Sequence, residues 1–427
     1  MELINIKYFS NKILWLKNKR INKLKHNNFF LMSLNKISFI CLIALLSNKG
    51  LFAQITTNEL DGRVNTITTA VPFLMIAPDA RGGSMGDAGV SSKPDANSFH
   101  WNPSKYAFVE NDLGVALSYS PWLRALVPDI NLAYLTGYKK LKKGQVIAAE
   151  LRYFSLGDII FTDIVGTDIG QFRPNEFSLA GSYSLKLSKN LSGGVALRYI
   201  NSNLTGRTNV GGSKSHPGQS VSADLSMYYQ KKIKIKKQVA YYAFGANISN
   251  IGAKMSYTES TERDFIPVNL RLGPTFFIEI DKYNTISVSV DLNKLLVPTP
   301  PQYDPLTNEI VKGKDPNVSL ATGVFSSFSD APGGFKEELR EINYATGIEY
   351  WYDKQFAVRT GYFFEHATKG NRKYFTVGAG LKYNVFGIDF SYLIPFESHN
   401  PLENTLRFTL ILDFAAFKEE VKSSISE

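Results

Sequence analysis

The sequence predicts an all-β protein: a transmembrane antiparallel β-barrel of about 14 strands, with an N-terminal plug and a helical insertion before strand 10. Three observations predict it. Apolar and polar residues alternate with period two over most of the chain, mid-strand charges keep to one parity, and short and long connections alternate.

The chain has 427 residues, 22 Tyr, 29 Phe and one Cys. No apolar run approaches the roughly 20 residues that a membrane-spanning helix needs. The longest, Ile37–Leu46, follows Lys36 and leads to Leu51-Phe52-Ala53-Gln54. That is the layout of a secretory signal peptide cleaved after Ala53, although Leu51 is larger than the residue usual three positions before a cut. Met32 would start a signal of normal length, so residues 1–31 read as an upstream start extension within a 1–53 signal region.

The formal net charge of +10 lies mostly in that region, which holds nine Lys/Arg and one acid. From Gln54 onward 39 basic residues face 37 acidic ones, a net of +2. No electrostatic case for a nucleic-acid partner survives. Cys41, the only cysteine, lies inside the apolar run and leaves with it, so the processed chain has no thiol chemistry.

Residues 54–111 form an N-terminal periplasmic and plug segment, 112–414 the barrel, and 415–427 a periplasmic tail. Fourteen strand segments fall near 113–120, 129–139, 145–155, 175–187, 190–202, 219–231, 238–249, 267–279, 284–294, 340–352, 355–366, 372–384, 386–396 and 404–414. In the last, Leu406, Phe408, Leu410, Leu412 and Phe414 alternate with Arg407, Thr409, Ile411 and Asp413. Mid-strand ionisable residues take the polar parity: Glu150, Arg152, Lys186, Arg198, Asp224, Arg271, Asp291, Glu349, Arg359, Lys382, Asp389, Arg407 and Asp413. A Lys or Arg facing lipid at mid-membrane would cost about 2–4 kcal/mol. Polar and apolar faces both carry bulk, which suits a lumen crowded by other protein.

Links after even-numbered strands are short, such as Ser188–Lys189 and Asp353–Lys354; most after odd-numbered strands are long. Short periplasmic turns and long extracellular loops build bacterial outer-membrane barrels, and an even strand number puts both termini in the periplasm. The link Leu295–Leu339 is too long for bare loop. Prolines open it, and helical turns are predicted around Ala321–Phe328 and Phe335–Leu339, split by Pro332-Gly333-Gly334.

Before the first strand lies Pro72–Val90, containing Ala80-Arg81-Gly82-Gly83-Ser84-Met85-Gly86-Asp87-Ala88, then Asp95 and Phe99-His100-Trp101-Asn102-Pro103. Its glycine spacing is not GxGxxG and no βαβ unit follows, which excludes a dinucleotide loop. It resembles the N-terminal hatch of FadL-like outer-membrane proteins. Through Ala80, Arg81, Met85, Gly86, Asp87, Ala88 and Trp101-Asn102-Pro103 it is most similar to the PorV (LptO) family of the Bacteroidota type IX secretion system. The Phe328–Phe335 insertion and the chain length point the same way. Arg81, Asp87 and Asp95 are expected to pair with charged lumen residues, and to hold the plug rather than a ligand.

The resemblance implies a non-enzymatic carrier, with no cofactor, in the cell outer membrane. Such a carrier binds the C-terminal signal domain of secreted cargo and passes it from an SprA/Sov-like translocon to a sortase-like attachment complex (PorU, PorQ, PorZ-like) that links cargo to lipopolysaccharide. With the lumen plugged, cargo contact falls to the extracellular loops. The loop Asp158–Val165, followed by Phe172, is unusually apolar. Ile159, Ile160, Phe161, Ile164 and Phe172 are therefore candidates for insertion into the translocon's lateral opening or cargo, or for capping the barrel mouth. The alternative function is FadL-type transport of hydrophobic small molecules. Catalysis lacks support: His366 and His399 lie near Ser398, but no third member or oxyanion site accompanies them. No His/Asp/Glu cluster has metal-ligand spacing.

Overall fold

The computed structural model describes residues 64–414 apart from 125–126, 128, 143, 163–164, 207–208, 211–212, 237, 260–262 and 398–399. The predicted signal region 1–53, residues 54–63, Ile164, Ser398, His399 and the predicted tail 415–427 lie outside the described residues, as does the side chain of Phe161.

Fourteen antiparallel strands close a barrel in sequence order: β1 Leu113–Pro121, β2 Asn131–Lys140, β3 Gln145–Ser155, β4 Asn175–Lys186, β5 Leu191–Asn203, β6 Gly218–Ile235, β7 Gln238–Gly252, β8 Asn269–Glu279, β9 Asn284–Leu295, β10 Asn343–Tyr352, β11 Phe356–Phe364, β12 Lys373–Tyr383, β13 Phe386–Pro395 and β14 Leu406–Asp413. Closure runs through β1 and β14, with Gly114 opposite Asp413 and Tyr119 opposite Phe408. Every strand therefore has two partners, which leaves no edge to satisfy in a medium without water.

The predicted faces are observed. Leu117, Leu135, Leu151, Leu179, Leu197 and Leu225 point outward and are exposed, whereas Ser118, Thr136, Glu150, Ser178, Arg198 and Asp224 point inward and are buried. Of the charges assigned to the inner face, only Lys186 and Lys382 are exposed, because they sit at strand ends on the short-turn side. Strands β6 and β7 are longer than their apolar stretches predict. The alternation continues through Ile233 and Ile235, so the turn shrinks from 232–237 to Lys236 and its neighbour. At the far end of β7 a bulge opposite Ala223–Leu225 contains Asn250 in the left-handed region, φ 61°.

The N-terminal segment meets the barrel first at its long-loop end. Asn65 donates its backbone N–H to Thr368 and its side-chain amide to Pro300 O and Glu337, and Ala70 N–H bonds Phe265 O. All four partners lie in long loops, whereas Lys140 N–H bonds Asp112 O at the short-turn end. The described segment thus runs down the lumen from the long-loop mouth to the short turns. Strand parity fixes the ends of the barrel only. What precedes it goes where its apolar residues pack, and Val71, Phe73 and Leu74 pack on Leu132, Phe154 and Ile200.

Two short helices mark this segment, α1 Ala80–Gly83 and α2 Ser98–Trp101, and a 3-10 turn, Pro103–Phe108, leads out of it. The link between β9 and β10 is folded, as predicted. It holds a hairpin pairing Gln302–Tyr303 with Ile310–Lys312, then α3 Leu320–Ser326 and α4 Phe335–Arg340. Ser319 caps α3 by accepting from Thr322 N–H, and Gly334, at φ 66°, supplies the bend that starts α4.

Candidate functional site

The plug motif resolves into three attachments. Arg81 is the first. Its Nε and Nη2 donate to both oxygens of Glu349 on β10, at 2.9 and 2.8 Å, and Nη1 donates to Asp95 at 2.7 Å and Lys93 O at 2.8 Å. Glu349 also accepts from Arg359 Nε at 2.7 Å, and Arg359 reaches Asp389 at 2.7 Å. Five side chains of alternating sign, Asp95, Arg81, Glu349, Arg359 and Asp389, thus tie the plug to three strands. Asp95 pairs inside the plug, with Arg81 and the Ser98 hydroxyl, rather than with a strand charge as expected.

The second attachment is backbone on backbone. A Cβ on Gly361 would lie 2.1 Å from Met85 C and from Gly86 N, and one on Gly86, at φ +68°, would lie 2.5 Å from Tyr362 N. Chain 84–87 therefore rides directly on β11. Gly86 N–H donates to Thr376, Tyr374 OH donates to Asp87, and Asp87 stands 3.6 Å from Arg407. Met85 and Ala80 are fully buried.

The third is the Trp-Asn-Pro corner. Trp101 packs where a Cβ on Gly82 or Gly89 would stand, and its indole N–H donates to Asp79, whose other oxygen caps α1 at Gly82 N–H. Burial, with Asp95 nearby, pushes the Asp79 carboxyl up to about 6, against these two hydrogen bonds and Arg81. The Asn102 amide donates to Val90 O and to Met227 O on β6, and its oxygen caps the turn that begins at Pro103. Pro103 O accepts from Ser184 and Ser104 O from Ser192, which fixes the exit toward β1.

Several holding residues were not legible as such. Asp291 accepts from Gly89 and Val90 N–H, and the buried Lys105 ammonium donates to Gly89 O and Ser92. Among the described residues, Arg152 and Arg271 face the plug with no carboxylate within hydrogen-bonding reach, and Arg407 has only Asp87, at 3.6 Å. Arg152 donates to Leu74 O and meets His100 Nδ1 at 2.8 Å, and Arg271 lies over the Trp101 ring. Burial first, then these guanidiniums, hold His100 far below its usual range, so it accepts from Arg152 as a neutral ring.

At the long-loop mouth, Ile159–Thr162 pairs with Asp168–Phe172 in a two-stranded hairpin. Ile159, Ile160 and Val165 are exposed, and Arg173 clamps Asp158 at the base at 2.6 Å. Phe172 is half-buried, its ring against Gly206 of the next long loop, so it braces the hairpin. Among the described residues no group of His, Cys, Asp or Glu is arranged to hold a metal, and His366 bonds Thr368.

Known structures of similar shape include the toluene transporter TodX of Pseudomonas putida (10% identity, TM-score 0.43), with 82% of this chain and 98% of that one covered. A FadL homologue of Pseudomonas aeruginosa gives 10% identity and TM-score 0.40 over 82% and 99%. No curated protein sequence matches. Residues 58–302, more than half of the chain, match the family model for type IX secretion system protein PorV, and the chain belongs to that family.

Proposed function

We propose that the protein is the outer-membrane shuttle of a type IX secretion system. It takes cargo by the C-terminal signal domain as cargo leaves the translocon and hands it to the attachment complex. The observation that carries this reading is the filled lumen. A segment held by the Arg81 network, the glycine contact and the Asn102 corner occupies the interior, so a large client is received at the long-loop mouth. The apolar hairpin there is the contact we assign to translocon or cargo, since exposed aliphatic side chains on a solvated loop mark binding surfaces.

Replacing Ile159, Ile160, Phe161 and Ile164 with Ser tests it. The expected result is loss of most cargo from the medium and loss of translocon co-purification, with the barrel still folded in the outer membrane. Normal secretion with normal co-purification removes the hairpin from the mechanism. A deletion strain that secretes normally but fails to grow on a hydrophobic carbon source would favour small-molecule transport instead.

The course of the plug makes a separate prediction. Val64 is well exposed at the long-loop mouth, and the processed chain has no cysteine of its own. A Val64→Cys variant is expected to react in intact cells with a membrane-impermeant maleimide. A Lys354→Cys variant, in a short turn, is expected to react only after the outer membrane is opened. Equal protection of both would mean that the segment enters from the periplasm.

A further inference from the structure

The insertion between β9 and β10 has its polarity reversed. Ser327, Asp330, Glu338 and Glu341 are buried, while Phe325 is 78% exposed, Phe335 76%, Phe328 50% and Leu339 47%. A water-facing helix pair of a globular protein buries the second set and exposes the first. Two of the three buried acids are committed to the barrel: Lys294 Nζ reaches Glu338 at 3.0 Å and Glu341 at 2.5 Å.

Lys294 shows on which side of the wall this happens. On β9, Asp291 and Asn293 point into the lumen and Leu292 points out, so the alternation sends Lys294 outward with Leu292. It is nevertheless buried. Helix α4 therefore straddles the rim: Glu338 and Glu341 hold the outward Lys294, while Glu337 reaches inward to Lys369 and Asn65. The Phe328 ring lies 6.0 Å from Lys294 Nζ, which continues the apolar belt upward from the exposed Leu292 and Tyr344. Two residues of strand rise put Lys294 about 7 Å above Leu292. Beside Phe335 and Leu339 the outward face of α4 carries Lys336, also exposed, and its acids turn inward. An apolar face bordered by Lys is what an element lying in the lipid interface presents.

We propose that the insertion is a lipid-seated collar: Phe325, Phe328, Phe335 and Leu339 sit among acyl chains and headgroups of the leaflet at the long-loop end. Lipid is preferred to a protein partner because Phe328 adjoins the outward-pointing Lys294 directly above the lipid-facing Leu292. The inference is independent of the shuttle reading.

The test uses the whole processed chain, purified and reconstituted with no other protein. Single cysteines at Phe325 and Phe335 carry an environment-sensitive fluorophore, with Leu117 in the belt and Lys354 in a short turn as references. Each is placed in phosphatidylcholine vesicles with or without acyl chains brominated near the headgroup. At least twofold quenching at Phe325 and Phe335, as at Leu117, is expected, with none at Lys354. If both insertion labels behave like Lys354 while Leu117 is quenched, the collar is in water and the patch belongs to a protein partner.

Discussion

Replacing Arg81 with Ala is expected to release the plug while leaving the barrel intact. The substitution leaves Asp95 without its cation and Glu349, almost fully buried between β10 and the plug, with Arg359 alone. Breaking a buried ion pair from one side costs about 3–5 kcal/mol when the remaining charge loses its only partner, and with Arg359 still on Glu349 the loss lies toward the lower end of that range. The strand hydrogen bonds are untouched, so the protein should still run as a compact, heat-modifiable barrel on gels. Limited proteolysis of the detergent-solubilised protein should cut between Pro78 and Lys105, a stretch protected in the parent. Removing both charges with Arg81→Met and Glu349→Leu should restore part of the protection, since Arg359 keeps Asp389. If Arg81→Ala is as protected as the parent, the network is not what holds the plug.

The barrel was legible because each strand repeats one physical demand fourteen times. Oil on one side and packed protein on the other write period two into segments such as Ile286–Asn293, where no other medium explains both parities. Turn lengths added an independent signal. The plug was legible as a unit, and Arg81 as a charge in need of a partner. Its partner was not, because Glu349 lies far along the chain and nothing local distinguishes it from Glu150. Lys105 and Asp291 were missed for a related reason: they bond plug backbone and neighbouring hydroxyls, which leave no signature in side-chain sequence. The entry of the segment from the long-loop mouth was hidden as well. It follows from where Val71 and Phe73 pack, not from strand count. The buried polar face of the insertion likewise needed Lys294 in place before it could be seen.

Gly361→Ala should have an effect as large as the loss of Arg81, by a different route. Its Cβ would sit 2.1 Å from two backbone atoms of the plug, and on the other side β11 is fixed by its pairing with β10 and β12. Neither neighbour is a flexible side chain that could swing away. Overpacked cores usually lose about 1–3 kcal/mol, and a backbone-to-backbone clash belongs at or beyond the upper end. Strain here has one outlet, which is for residues 84–87 to lift off the wall. That breaks the Gly86 to Thr376 and Tyr374 to Asp87 hydrogen bonds as well. The same proteolytic cuts as in Arg81→Ala are expected, with the barrel again heat-modifiable. Gly181→Ala is the control, since that outward position meets nothing closer than 4.0 Å. A Gly361→Ala protein as protected as Gly181→Ala would show that the plug does not rest on β11, and the close contact would lose its role in closing the lumen.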